Sequence, residues 1–171
     1  MKDKDIFNKR LDDLYGYVQH SLIFSEAKNG SLVAICIALI VGILGYQPSN
    51  DNLKSCMLLN IIPLLFSLGI SILSFYPFIR KNKQVKHSND LTISIFNCEN
   101  IEKLGSKNVM KIITEDLNEI EISAYEDKKM MNIVAMSKTA AKKYRLFRLA
   151  LPFFFAFLLF SLILLIINIL Y

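Results

Sequence analysis

The sequence predicts an all-α membrane protein with three spanning helices and a helical cytoplasmic collar. The first observation behind this prediction is a set of apolar runs. Residues 56–79 and 149–170 are uncharged over 24 and 22 residues, and residues 31–46 form a third run of 16 that lengthens if residues 22–24 and 27 join it. A helix of about 20 residues crosses a bilayer core. A soluble bundle would have to bury helices that are apolar all round within 171 residues, which a chain of this size cannot do.

The second observation is the distribution of positive charge. Five Lys and Arg residues precede residue 31, one lies in residues 47–55, and fourteen lie in residues 80–148. Loops rich in Lys and Arg stay in the cytoplasm. We therefore expect a multi-pass protein of the bacterial inner membrane, with its N-terminus and residues 80–148 in the cytoplasm and its C-terminus outside. An odd number of spans agrees with this orientation.

Six segments follow in order. We predict a cytoplasmic amphipathic helix in residues 1–24, a first span in 25–46, an external loop in 47–55, a second span in 56–79, a cytoplasmic helical insert in 80–148 and a third span in 149–171. The first helix rests on helical spacing, and the residues that show it are Ile6, Leu11, Leu14, Val18 and Leu22. The external loop contains Pro48 and four other turn-forming residues in 49–52.

Within the insert the pattern is less regular. We predict a helix or a docked loop for residues 91–96, and a loop or a short helix for residues 97–108. From Val109 onward, apolar residues at helical spacing predict one helical face that continues to Ala124. A weak point at residues 123–127 separates it from a second helix, which runs without interruption into the third span.

Polar side chains form a stripe on the second span. Cys56, Asn60, Ser67, Ser71 and Ser74 lie within about 60° of one another on a helix. Such groups face protein or water rather than lipid, so the stripe either packs against neighbouring helices or lines a pore. Asn168 lies at a depth in the third span similar to that of Asn60 in the second. We predict that it bonds to Asn60 or shares a polar ring with it, and that the pore-lining set is Asn60, Ser67, Ser71, Ser74 and Asn168.

The first span carries small residues on one face, at spacings of three and four: Ser31, Ala34, Ala38, Gly42 and Gly45. Small residues at this spacing let helices approach closely in a membrane. The pattern leaves open whether the contact is the second span, the third span or another subunit.

Charged groups meet at the cytoplasmic ends of the spans. Glu26, Lys28 and Asn29 stand at the entry of the first span, and Lys143, Arg145 and Arg148 at the entry of the third. An ion pair from Glu26 to one of these bases would join the two helices, so we assign these six residues to gating or structure. For the lysines, the alternative is snorkelling into the headgroup layer.

Enzymatic motifs are absent from the sequence. His20 and His87 have no neighbouring cluster of Cys, Asp or Glu, and no phosphate-binding glycine loop, metalloprotease motif or nucleophile elbow occurs. We therefore expect no catalysis and no resident cofactor or metal. The net charge of +5 is mostly located at the flanks of the spans, so we expect contact with membrane lipid and no recognition of duplex nucleic acid.

Two segments give the chain a resemblance to a known family. FSEAKNGSLVAI opens the first span and SKTAAKKYRLFRLAL leads into the last, around a span hairpin and a basic-flanked insert. In this order they resemble the Pycsar-type transmembrane effectors of bacterial anti-phage defence. The residues that carry the likeness are Glu26, Lys28, Asn29, Ser137, Ala140, Lys143 and Tyr144.

The resemblance implies an effector controlled by a cyclic or oligomeric nucleotide that a partner nucleotidyltransferase or cyclase makes. Once released, such an effector permeabilises or depolarises the inner membrane and arrests the infected cell. Three spans cannot enclose a water path alone, so we expect a homo-oligomer, with four copies as the favoured number. The alternative is a non-conducting membrane anchor that recruits a soluble partner through its cytoplasmic helices.

Overall fold

The protein is all-α, as predicted. The computed structural model describes residues 2–46, 51–76, 95–117 and 120–170, without the side chains of residues 2, 51–53 and 168–170. In these ranges the chain forms four helices and no strand: α1 (Lys2–Gly45), α2 (Asp51–Leu73), α3 (Cys98–Thr114) and α4 (Ala124–Leu170). Three of them, α1, α2 and α4, contain an 18-residue window apolar enough to cross a membrane, with mean hydropathies of 2.0, 2.3 and 2.9.

Two of the helices are much longer than a bilayer requires. α1 has 44 residues and α4 has 47, so the predicted amphipathic segment continues into the first span and the second insert helix continues into the third. Pro152 lies inside α4. Proline removes one backbone donor, and membrane helices tolerate this because neighbouring groups can satisfy the freed carbonyl.

The helices divide into two compact units. The collar unit consists of Met1–Ser25 and Phe78–Lys142, and the membrane unit of Glu26–Pro77 and Lys143–Tyr171. α1 and α4 contribute to both units, whereas α2 belongs to the membrane unit and α3 to the collar unit.

The collar unit has its own apolar core. Phe7, Leu11, Leu14 and Val18 form the buried face of α1 and pack with residues of α3 and α4. Ile6 was expected on this face, but it is 36% exposed and Phe7 is buried instead. From α3 and α4 the core takes Cys98, Ile101, Val109, Met110, Ile113, Met130, Ile133, Val134, Ala140 and Ala141.

The predicted helical face from Val109 to Ala124 is wrong in its second half. α3 ends at Thr114, and α4 begins ten residues later. A capping box explains the new start: the Ser123 backbone N–H donates to Glu126 Oε2 at 2.7 Å, and the Glu126 N–H donates to Ser123 Oγ at 3.4 Å. Asn97 caps α3 in a similar way by accepting from the Glu99 N–H. Of the two predictions for residues 97–108, a loop or a short helix, the structure shows the helix. Residues 91–94 lie outside the described ranges.

Ion pairs join α1 to the other collar helices. Lys4 bonds to Glu126 at 2.8 Å and to the Glu121 carbonyl at 2.7 Å, and Lys129 pairs with Asp12. Burial raises the pKa of the Glu126 carboxyl, but bonds from Lys4 and Ser123 outweigh it and hold the pKa below its usual value. Glu126 is therefore charged at neutral pH and ties the start of α4 to α1.

The Cys98 thiol is an unreactive core group. It is 5% exposed. Burial raises its pKa, and a hydrogen bond with Ser21 opposes the shift only in part. A thiol with a raised pKa is a poor nucleophile at neutral pH.

Candidate functional site

Four residues of the polar stripe of α2 face the interior of the membrane unit, whereas the fifth, Cys56, is exposed. Asn60 and Ser74 are 8% and 5% exposed, and Ser67 and Ser71 are completely buried. They lie beside an apolar core formed by Leu32, Cys36, Leu64, Ala150 and Phe157. The structure thus brings four of the five predicted pore residues to one buried face of a single chain. The side chain of the fifth, Asn168, lies outside the described part.

Two hydrogen bonds connect this stripe to the neighbouring spans. Asn60 Nδ2 donates to Ser161 Oγ of α4 at 2.7 Å, and the Cys36 thiol of α1 donates to Ser67 Oγ at 3.9 Å. The amide nitrogen of Asn60 therefore bonds to Ser161. Cross-helix bonds of this kind contribute about 1 kcal/mol in membranes, so these two act mainly by setting the rotation of α2.

The rest of the stripe is left unsatisfied. Asn60 Oδ1, Ser71 Oγ and Ser74 Oγ are buried and have no hydrogen-bond partner among the described residues. A buried polar atom without a partner costs about 1–3 kcal/mol, and native proteins contain few of them. The stripe thus holds polar groups that would gain from contact with water.

A charged cluster lies at the end of the membrane unit where α1 and α4 enter it, which we call the proximal end. Lys143 Nζ and Glu26 Oε1 are 2.5 Å apart. The Asn29 amide donates to the Lys143 carbonyl at 3.3 Å, and Lys143 Nζ lies 5.5 Å from the centre of the Phe75 ring, just beyond α2. Lys143 therefore contacts both neighbouring spans.

The remaining predicted gating residues surround this cluster. Lys28 Nζ lies 5.6 Å from the Tyr144 ring and 5.7 Å from the Phe147 ring, within the range of a cation–π interaction. Arg145 and Arg148 are exposed. The structure thus brings Glu26, Asn29 and Lys143 into direct contact, holds Lys28 against α4, and leaves the two arginines on the surface.

The small residues of α1 lie on an exposed face among the described residues. Ser31, Ala34, Ala38, Gly42 and Gly45 are all exposed, and a Cβ added at Gly42 or Gly45 would meet nothing within 4 Å. The opposite face of α1, with Leu32 and Cys36, packs into the apolar core of the membrane unit instead. Of the three contacts that the sequence left open, the described structure uses neither α2 nor α4.

Sequence reasoning missed two members of the site. They are Ser161, which bonds to the Asn60 amide, and Phe75, whose ring lies near Lys143 Nζ. Helical spacing could have identified Phe75, because it lies four residues after Ser71 and so continues the same helical face just beyond α2. Among the described residues, no group of three or more His, Cys, Asp or Glu side chains could hold a metal ion.

Comparison with known proteins gives one match. The family model of the Pycsar effector protein domain matches residues 10–169 of this chain. No curated protein and no solved structure matches it. The matched region includes the polar stripe, the charged cluster and nearly all of both units. The chain therefore belongs to the Pycsar effector family, whose members with this architecture are transmembrane effectors of anti-phage defence.

Proposed function

We propose that this protein is a nucleotide-controlled effector that opens a water path through the bacterial inner membrane, depolarises the infected cell and stops its growth. A cyclic or oligomeric nucleotide made by a partner nucleotidyltransferase or cyclase is the signal. The protein acts by changing its packing and not by catalysis. The observation that carries the proposal is the buried stripe on α2, with its unpartnered Asn60, Ser71 and Ser74 atoms.

The stripe supports a gated mechanism because its polar atoms are buried now and would be satisfied by water. A bilayer core offers no hydrogen bonds, so polar groups are kept there only where another arrangement uses them or where they bond across helices. The described arrangement corresponds to the closed state. Opening would turn or separate the spans so that the unpartnered hydroxyls meet water.

Homo-oligomerisation supplies the space that one chain lacks. Asn60, Ser67, Ser71 and Ser74 are at most 8% exposed in the single chain, so among the described residues the spans leave no open water path beside them. The exposed small residues of α1 offer a face on which a second copy packs closely. We keep four copies as the favoured number.

The Glu26–Lys143 pair is proposed as the element that transmits the signal. Glu26 and Lys143 are the first residues of the membrane unit on α1 and on α4, the two helices that continue from the collar unit. A nucleotide that changes the packing of the collar helices would alter the relation of α1 to α4 at this pair. Switching through two alternative packings is a general mode of gating.

Membrane potential and growth during expression test the proposal directly. Cells that express the chain together with its neighbouring genes should stay polarised until the nucleotide signal is produced and then lose their potential within minutes. Purified chain in vesicles should release a small entrapped dye when a cyclic nucleotide is added. Growth arrest with an intact potential and intact vesicles would instead identify a non-conducting anchor that recruits a soluble partner.

A further inference from the structure

A second feature of the membrane unit is a cavity where its three helices meet, and it shares Asn60 with the polar stripe. Its volume is about 260 Å³. Ile43 and Tyr46 line it from the end of α1, Met57 and Asn60 from α2, and Ser161 and Leu164 from α4. It lies at the end of the unit opposite the Glu26–Lys143 cluster, which we call the distal end.

The chemistry of the wall limits what can bind. Most lining side chains are aliphatic, thioether or aromatic, and apolar cavities of about 150 Å³ already bind small apolar molecules. The polar groups in the wall belong to Tyr46, Asn60 and Ser161. Asn60 is 92% buried, and its Oδ1 accepts no hydrogen bond from the described residues. Its Nδ2 is already committed to Ser161. The cavity therefore adjoins an unused acceptor, Asn60 Oδ1, and is otherwise largely complementary to a hydrocarbon chain.

We propose that this cavity binds a straight-chain amphiphile with a hydroxyl head, whose hydroxyl donates to Asn60 Oδ1 while its chain lies against Ile43, Met57 and Leu164. Asn60 Oδ1 is buried in the described structure, so binding requires the Asn60 amide to turn until Oδ1 reaches the cavity. Ligand pockets of this kind are mostly apolar and have one or two polar groups that fix orientation. Since all three helices contribute to the wall, the amphiphile stabilises the arrangement in which they enclose it.

Photolabelling of the full chain in phosphatidylcholine vesicles tests the site. The probe is octanol carrying a photoreactive diazirine, and labelled residues are identified by mass spectrometry. We expect saturable labelling near residues 43–46, 57–60 and 161–165, which excess octanol suppresses. A diazirine-bearing octane without the hydroxyl should bind about two- to tenfold more weakly, the equivalent of one hydrogen bond.

Two variants separate the cavity from the lipid-facing surface. Leu164→Trp fills the cavity and should reduce labelling at least about fivefold, because a filled cavity has no room for the chain. Leu162→Trp is the matched control, since Leu162 is exposed and does not line the cavity, and it should label like the natural chain.

Three results would overturn the proposal. Labelling that does not saturate would mean that the probe reports only lipid exposure. Equal labelling of the Leu164→Trp and Leu162→Trp variants would place the probe outside the cavity. Equal affinity of the octane and octanol probes would remove Asn60 as the recognition group. None of these results depends on whether the chain conducts ions, so the test is independent of the function proposed above.

Discussion

Glu26 and Lys143 form an ion pair in which the two partners differ in exposure. The ammonium side chain of Lys143 is 10% exposed, whereas the carboxylate side chain of Glu26 is 48% exposed. Loss of Glu26 would therefore leave a buried cation without its counter-charge. Loss of Lys143 would leave a carboxylate that water can still reach.

This asymmetry predicts unequal effects of the two single substitutions. Glu26→Gln should destabilise the membrane unit more than Lys143→Met, and the double variant should recover about 1–3 kcal/mol of the loss, because removing both partners avoids a buried unpaired charge. Thermal unfolding of the full chain in lipid nanodiscs measures the coupling, and a membrane-potential assay shows whether gating follows it.

Arg148 is the matched control, because it follows on α4 but is exposed. Combining Arg148→Gln with Glu26→Gln should give additive effects. Non-additivity of the same size at Arg148 and at Lys143 would show that Glu26 interacts with the whole basic cluster and not with Lys143 alone.

Ser71 and Ser74 should behave differently from ordinary buried serines. Their hydroxyls have no partner in the described structure, so Ser71→Ala and Ser74→Ala each remove a desolvated polar group. We expect thermal stability to rise, by about 1 kcal/mol each, while depolarisation on activation falls because the water path loses a hydroxyl. Stability and conduction thus change in opposite directions.

Ser67 is the control for this pair, because its hydroxyl accepts a bond from Cys36. Ser67→Ala should lower stability slightly or leave it unchanged. If Ser71→Ala and Ser74→Ala depolarise cells as the natural chain does, the stripe serves packing alone.

The sequence determines the membrane spans more fully than it determines which side chains bond to one another. The length of an apolar run is enough to predict that α2 crosses a membrane, since each residue adds a fixed rise. The hydrogen-bond partner of Asn60 is harder to predict, because it depends on the rotation and depth of two helices. In the structure, the amide nitrogen of Asn60 bonds to Ser161. Glu26 could face any of several bases, and only the packing of α1 on α4 selects Lys143.

The end of α3 shows a different limit. The apolar spacing after Val109 continues past Thr114, so periodicity alone extends the helix too far. The sequence nevertheless contains a signal for the start of α4, a capping box formed by Ser123 and Glu126. A local hydrogen-bonding signature therefore defines this boundary better than the hydrophobic pattern does.

Gly105 provides a test of backbone strain inside α3. Its φ is 73° and its ψ is 172°, a region open essentially to glycine alone, and an added Cβ would meet nothing within 4 Å. Gly105→Ala should thus cost about 1–3 kcal/mol through the backbone only. Gly16→Ala is the control: that site is helical with equally free space, so alanine should stabilise it by about 0.5–1 kcal/mol. Chemical unfolding of the full chain compares the two, and equal effects would refute the strained backbone.

Glu126 predicts acid sensitivity of the collar unit. Its pKa is lower in the folded chain than its usual value of 4.5, so its contribution to stability is complete above that pH and is lost as the pH falls through the folded pKa. The protection factors for hydrogen exchange at the start of α4, which correct for the intrinsic pH dependence of exchange, should fall below about pH 4.5. Glu126→Gln should already exchange faster at neutral pH and show a smaller acid response. An unchanged acid response in that variant would assign the effect to another carboxylate.

The orientation in the membrane is the final prediction, and it rests on charge. Fourteen basic residues in 80–148, against one in 47–55, should keep the collar unit in the cytoplasm. Reporter fusions at residue 50 and after residue 171 should both be active outside the cytoplasm, and a fusion at residue 108 should be active inside. Placing four lysines in residues 47–53 while neutralising residues 80, 81, 83 and 86 should reduce correct insertion, because it inverts the bias around α2. An external signal at residue 50 with a cytoplasmic signal at residue 171 would mean that α4 does not cross, and the number of spans would then be two.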